Sequence, residues 1–211
     1  AHDLMKVSLT AYSWTAILGG VLLFTFITLF PGFFKYMATI FRPVMHVYAL
    51  MFLAESGVLY VYYYGWDKMN DGGFLKWVHC SISVLLNLIG TGLMYLANSW
   101  ATFMQAPGGI DEQGRFLGNI WHVIHSTLWN PVGVHRILGN IVFGGGIVGA
   151  YAAYHYLTAK DEETKAHYDW VCYVAMFICI FGLIPLPFAG YWLMKEGYAF
   201  RQQMGITLVG G

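Results

Sequence analysis

The chain has 211 residues, of which 58% are apolar and 10% charged, whereas a soluble domain carries about 25% charged residues. So few charges cannot cover a water-soluble globule, and eleven Lys and Arg against eleven Asp and Glu leave no net charge, which excludes a general nucleic-acid-binding surface. Aromatic residues at 18% and long apolar runs exclude disorder. The composition is that of an integral membrane protein.

A membrane-crossing helix needs about 20 mostly apolar residues. Five segments satisfy this: 11–30, 43–64, 75–97, 131–157 and 168–194. They predict an all-α, polytopic transmembrane bundle in a single membrane domain, 1–211, without internal repeats. The opening residues 1–6 do not read as a cleavable signal. Pro31-Gly32 closes the first span, and Asp71-Gly72-Gly73 turns the second into the third. Residues 160–165 read as a solvated charged loop. Between the third and fourth spans, residues 111–130 interleave Phe116, Leu117, Ile120, Val123, Ile124, Leu128 and Trp129 with Arg115, Asn119, His122, His125 and Ser126. That pattern predicts an amphipathic helix lying at the membrane interface.

Alternating spans put Lys35, Arg42, Arg115, Arg136, Lys195 and Arg201 on one side. Lys6, Lys68, Lys76, Lys160 and Lys165 fall on the other. The balance gives no orientation by the positive-inside rule. Cys80, Cys172 and Cys179 form no CxxC pair, and the absence of CxxCH excludes a covalent c-type haem of the usual kind.

Eight histidines are the main chemical clue. His46, His122, His125 and His135 fall toward the first side, and His79, His155 and His167 toward the second. Ionisable groups at membrane depth are costly and usually have a partner or a function, and neutral imidazole is a good ligand for haem iron. From His135 one helical face runs through Gly139, Val142, Gly146, Gly149 and Ala153. Such a groove would admit a flat macrocycle, with Arg136 beside a propionate; equally, small residues allow close helix packing. His122 and His125 share a face as ligands or as solvated interface residues. His79 and His155 are candidates for a second haem, or interfacial hydrogen-bonding groups.

Glu55 is a carboxylate deep inside a span, with Tyr48, Met51 and Tyr62 on its face. A central Glu serves as a proton relay, an ion site or a haem-adjacent acid, or is held structurally by hydrogen bonds. His46, nine positions earlier, lies on the opposite face. The run Tyr60–Trp66 reads as an interfacial aromatic belt.

At the second span the residues become recognisable. Phe52-Leu53-Ala54-Glu55-Ser56, then Tyr64-Gly65-Trp66-Asp67-Lys68, resembles a stretch of cytochrome bd quinol oxidase subunit I. Leu96-Ala97-Asn98-Ser99-Trp100 and Asn130-Pro131-Val132 are similar to two further motifs of that family, and Pro43 precedes the Glu in register. The resemblance covers about residues 40–157. It implies a haem-bearing membrane subunit that oxidises quinol, with Glu55 near the haems and the His135 side facing the periplasm of a bacterial inner membrane. The register departs from the family at three places. A second acidic position falls at Val47, the family's histidine in the Asn-Pro-Val helix falls at about Gly139, and the family's first helix, quinol loop and later helices have no counterpart.

The expectation is therefore a haem b-binding, bd-like subunit of a respiratory complex, transferring electrons between quinol and a redox partner rather than reducing oxygen alone. It would carry one or two b-type haems. His135 would be the first iron ligand, with His46, His122 and His125 as candidate partners, Arg136, Gly139, Gly146 and Gly149 lining the haem, and Glu55 handling protons. His79 and His155 would serve a second haem. Expected partners are other membrane subunits, a cytochrome c or iron–sulfur subunit, quinone and lipid. The rival readings are a haem-free anchor or interaction subunit and a proton-path subunit centred on Glu55.

Overall fold

The structure, a computed structural model, describes residues 2–69 and 72–209. Helix makes up 87% of it, with no strand among the described residues. The helices are α1 (His2–Leu29), α2 (Pro31–Tyr64), α3 (Trp66–Met69), α4 (Gly73–Gln105), α5 (Ile120–Ile124), α6 (Trp129–Thr158), α7 (Glu162–Leu183), α8 (Leu186–Phe200) and α9 (Gln202–Val209). Five stretches are long and apolar enough to cross a membrane: α1, α2, α4, α6 and the interrupted Glu162–Phe200. The expected all-α polytopic architecture with five spans is present. The chain forms two compact units, Ala1–Ala101 with Gly109–Ile124, and Thr102–Gly108 with His125–Gly211.

In the first unit α1 and α2 form an antiparallel hairpin joined at Phe30. The Ser56 hydroxyl donates to the Phe52 carbonyl at 2.8 Å. Tyr12 therefore donates to Ser56 Oγ, 2.7 Å away, and this bond links α1 to α2. No described α1 residue is buried within the chain, as expected for a helix whose surroundings are apolar. α2 begins at Pro31 and runs through Pro43, twelve residues before the expected start. Proline suits the first turn because its missing N–H has no helical partner there. Pro43 deprives only the Thr39 carbonyl of its usual donor, a loss that membrane helices tolerate. Met37, Ile40, Phe41 and Val44 are buried on one face at helical spacing.

α2 ends at Gly65, where the chain turns into α3. A Cβ there would lie 2.6 Å from both the Val61 carbonyl oxygen and Met69 Cε, so the corner requires glycine. Asp71 of the expected turn lies outside the described residues, and Gly72 and Gly73 follow with φ of +106° and +68°. α4 then returns antiparallel to α2, with His79 opposite Tyr62 and Gly90 opposite Glu55.

The expected interfacial helix over 111–130 is replaced mostly by loop. Only Ile120–Ile124 is a separate helix, and Trp129 and Asn130 belong to α6. Ile110 and Phe116 form an isolated antiparallel bridge. Asp111 Oδ1 accepts from the backbone N–H groups of Gln113 and Arg115 at 3.0 and 2.7 Å, and Gly114 and Gly118 take φ of +78° and +86°. Local carboxylate bonds of this kind compete with helix. The apolar spacing was real, but this turn chemistry overrode it.

In the second unit α7 packs antiparallel on α6 through glycines. A Cβ at Gly145 would lie 2.9 Å from the Ala175 carbonyl oxygen, and one at Gly182 would lie 2.9 Å from Val142 Cγ2. Asp161 caps α7, its Oδ1 accepting from the Thr164 N–H at 2.8 Å, with Glu162 and Glu163 in the favourable first turn. The expected continuous fifth span, 168–194, is interrupted at Ile184-Pro185. Pro185 and Pro187 have no N–H to continue the ladder, so α8 starts as a separate helix. Within this unit the Ser126 hydroxyl donates to Thr102 Oγ1 at 2.9 Å, and both residues are buried.

Candidate functional site

His135 lies on α6 near its start, opposite α8. A Cβ built on Gly190 would lie 3.5 Å from its Cε1 and 3.7 Å from its Nδ1. Nδ1 is buried and has no hydrogen-bond partner among the described residues. Leaving such a group unpaired costs about 1–3 kcal/mol. Arg136, next in sequence, is exposed.

The glycines beyond His135 divide by their surroundings. At about 100° per residue, Val142 and Gly149 lie on one flank of the His135 stripe and Gly139 and Gly146 on the other. α7 covers the first flank: a Cβ on Gly149 would lie 3.1 Å from Met176 Sδ. Around Gly139 and Gly146 nothing lies within 4 Å of the Cβ position. Close helix packing thus takes one flank, and the other stays open beside the imidazole.

The remaining histidines are dispersed. His46 is exposed near the middle of α2, because the helix starts earlier than the spacing suggested. His122 is exposed on α5 in the first unit. α5 ends at Ile124, so His125 lies outside it, in the second unit, exposed and edge-on to Trp129 with centroids 4.4 Å apart. The expected shared helical face is therefore not formed. His79 is buried in the first unit, where its Nε2–H donates to the Tyr62 carbonyl at 3.0 Å. Its ring stacks on Tyr62 at 4.3 Å and meets Trp66 edge-on at 5.0 Å. His155 belongs to the second unit, stacked on Tyr168 at 4.7 Å and tilted against Tyr151 at 4.4 Å. His79 and His155 are each enclosed by their own aromatic residues. No group of three or more His, Cys, Asp or Glu side chains suited to a metal ion occurs among the described residues.

Glu55 is half-buried on α2 and faces α4. A Cβ on Gly90 would lie 2.8 Å from its Oε1, and one on Gly92 would lie 2.7 Å from Met51 Cε. Gly90, Gly92 and Gly190 carry no signal in the sequence, because a contact between distant helices leaves no local pattern. For the Tyr12–Ser56 bond the available sign is the pair of polar residues inside two adjacent spans.

The fold and these groups define a class: an integral, multi-pass helical membrane protein with an imidazole and a carboxyl set into its spans. The family model described as cytochrome bd terminal oxidase subunit I matches residues 2–204. The chain belongs to the cytochrome bd terminal oxidase subunit I family, and is a bd-type respiratory membrane subunit. The match extends past residues 40–157, where the legible motifs lie, into α1 and α7–α9. No match is found among curated proteins or among solved structures.

Proposed function

We propose that this chain binds haem b through His135 and carries electrons between quinol and a redox partner within a bd-type complex. The observation that carries the reading is the His135 imidazole, whose buried Nδ1 lacks a hydrogen-bond partner beside an open glycine flank. These features fit a haem: the imidazole supplies an iron ligand, and the absence of side chains at Gly139 and Gly146 leaves room for a flat ring. When bound, the haem supplies one-electron transfer at its iron.

The chain's own residues do the rest. Gly149 holds α6 against α7 and so fixes the helix from which His135 projects. Arg136 offers a guanidinium to a propionate. His125, in the same unit, is the candidate second ligand. His46 and His122 are candidates of the first unit, and His79 in the first unit and His155 in the second remain candidate ligands, each within its own unit. Glu55 takes up and releases protons that accompany quinol chemistry. Partner membrane subunits, with a cytochrome c or iron–sulfur subunit among them, would receive or deliver the electrons.

Pyridine haemochrome analysis of the purified complex, with its subunits resolved, tests the reading. A b-type signal assigned to this chain and lost in His135→Ala supports it. A chain free of b-type haem overturns it in favour of a haem-free anchor.

A further inference from the structure

The carboxyl of Glu55 does not simply project from α2. Its Oε1 occupies the space where a side chain at residue 90 would begin, 2.8 Å from the Cβ position of Gly90. Two residues along α4, the end of Met51 fills the equivalent space over Gly92. The rotation of α2 about its axis is also held from a second direction. Ser56, about 100° around the helix from Glu55, accepts the Tyr12 hydroxyl at 2.7 Å on the α1 side. With Ser56 engaged by α1, Glu55 is directed at α4, and only a glycine at 90 leaves room for its carboxyl there.

We infer that Gly90 is a positioning residue that seats the Glu55 carboxyl against the α4 backbone and so sets the environment in which it exchanges protons. The inference rests on the proposed proton role of Glu55. The atom that a new Cβ would meet is the far end of a flexible side chain, so Gly90→Ala is compatible with the fold. The side chain must turn away instead, and its carboxyl leaves the seat. Asp, shorter by one methylene, would not reach the Cβ at 90.

The experiment uses the full chain in its native membrane complex. Labelling of Glu55 by a hydrophobic carbodiimide is followed by mass spectrometry, and quinol-dependent turnover is measured against pH. Gly90→Ala is expected to raise the labelling rate several-fold and to displace the pH profile. Gly92→Ala, which moves only Met51, leaves Glu55 labelling at the native rate. In a Glu55→Asp background Gly90→Ala has no further effect on the pH profile, a non-additivity diagnostic of direct contact. Unchanged labelling in Gly90→Ala, or an equal rise in Gly92→Ala, overturns the inference. If Glu55→Gln retains native turnover and pH profile while labelling still responds to Gly90→Ala, the seat is upheld and the proton role alone falls.

Discussion

The imidazole of His135 on α6 lies against Gly190 on α8, in ordinary van der Waals contact with the position a Cβ would take there, at 3.5 and 3.7 Å. A methyl group therefore fits, and a large side chain does not. Gly190→Ala should keep the b-type absorbance of the complex, whereas Gly190→Phe should displace the imidazole and reduce that absorbance as His135→Ala does. Reduced-minus-oxidised spectra of the purified variants check this. Loss of signal in Gly190→Ala alone would contradict the assigned contact.

The two flanks of the α6 stripe should respond differently to added methyl groups. Gly145→Ala places a Cβ against the Ala175 carbonyl and the Cys179 backbone, and overpacking of this kind costs about 1–3 kcal/mol. Gly139→Ala and Gly146→Ala meet no neighbour within 4 Å, so they should not lower stability and should raise it by about 0.5–1 kcal/mol through helix propensity. Their effect should appear instead as lowered haem content, if the open flank receives the ring. Thermal unfolding in detergent, with haem measured per chain, separates the two classes.

Tyr12 and Ser56 join neighbouring helices through their hydroxyls. Hydrogen bonds between membrane helices average about 0.6 kcal/mol, and the coupling energy of a Tyr12→Phe, Ser56→Ala double-mutant cycle should be of that order. Chemical unfolding of the four proteins in mixed micelles gives the number. A coupling near zero would mean that the α1–α2 hairpin is held by apolar contacts alone.

Outside the membrane, the loop around Asp111 should depend on pH in one direction. The Arg115 backbone N–H, with smaller contributions from the Arg115 guanidinium and the Gln113 N–H, holds the Asp111 carboxyl below the usual carboxylate range. A depressed folded-state value means the stabilisation is complete above the unfolded value, about 3.9. It is lost as pH falls through the lower folded value. Amide exchange at Gln113 and Arg115, corrected for intrinsic rates, should therefore accelerate only on acidification below that range. Asp111→Asn should show weakened protection at every pH.

Much of the fold was legible because the membrane imposes a simple rule on composition: long apolar runs must be helices. The errors fall where local chemistry competes with that rule. Pro43 looked like a helix start but lies inside α2, since a membrane helix absorbs one missing donor. Pro185 and Pro187 divide a span that hydropathy alone treats as continuous. Around Asp111 the apolar spacing points to a helix, but the glycines and the carboxylate make a loop. Of the candidate site, the histidines and Glu55 could be named from the chain. Their surroundings could not, because Gly90 and Gly190 act through residues 35 and 55 positions away, and only the helix pairing brings them there.

The interruption at Ile184-Pro185 has a mechanical meaning for the helix that covers His135. Pro185 and Pro187 cannot donate to the Phe181 and Leu183 carbonyls, as residues four positions later normally do. The main-chain ladder is thus interrupted at one turn, and α8 starts afresh at Leu186. α7 is clamped to α6 by interlocked glycines, while α8 meets the imidazole across a single glycine beyond a proline joint. The cover over His135 is therefore a new helix begun at Leu186, set on α6 through Gly190, and not a continuation of the helix that α6 clamps.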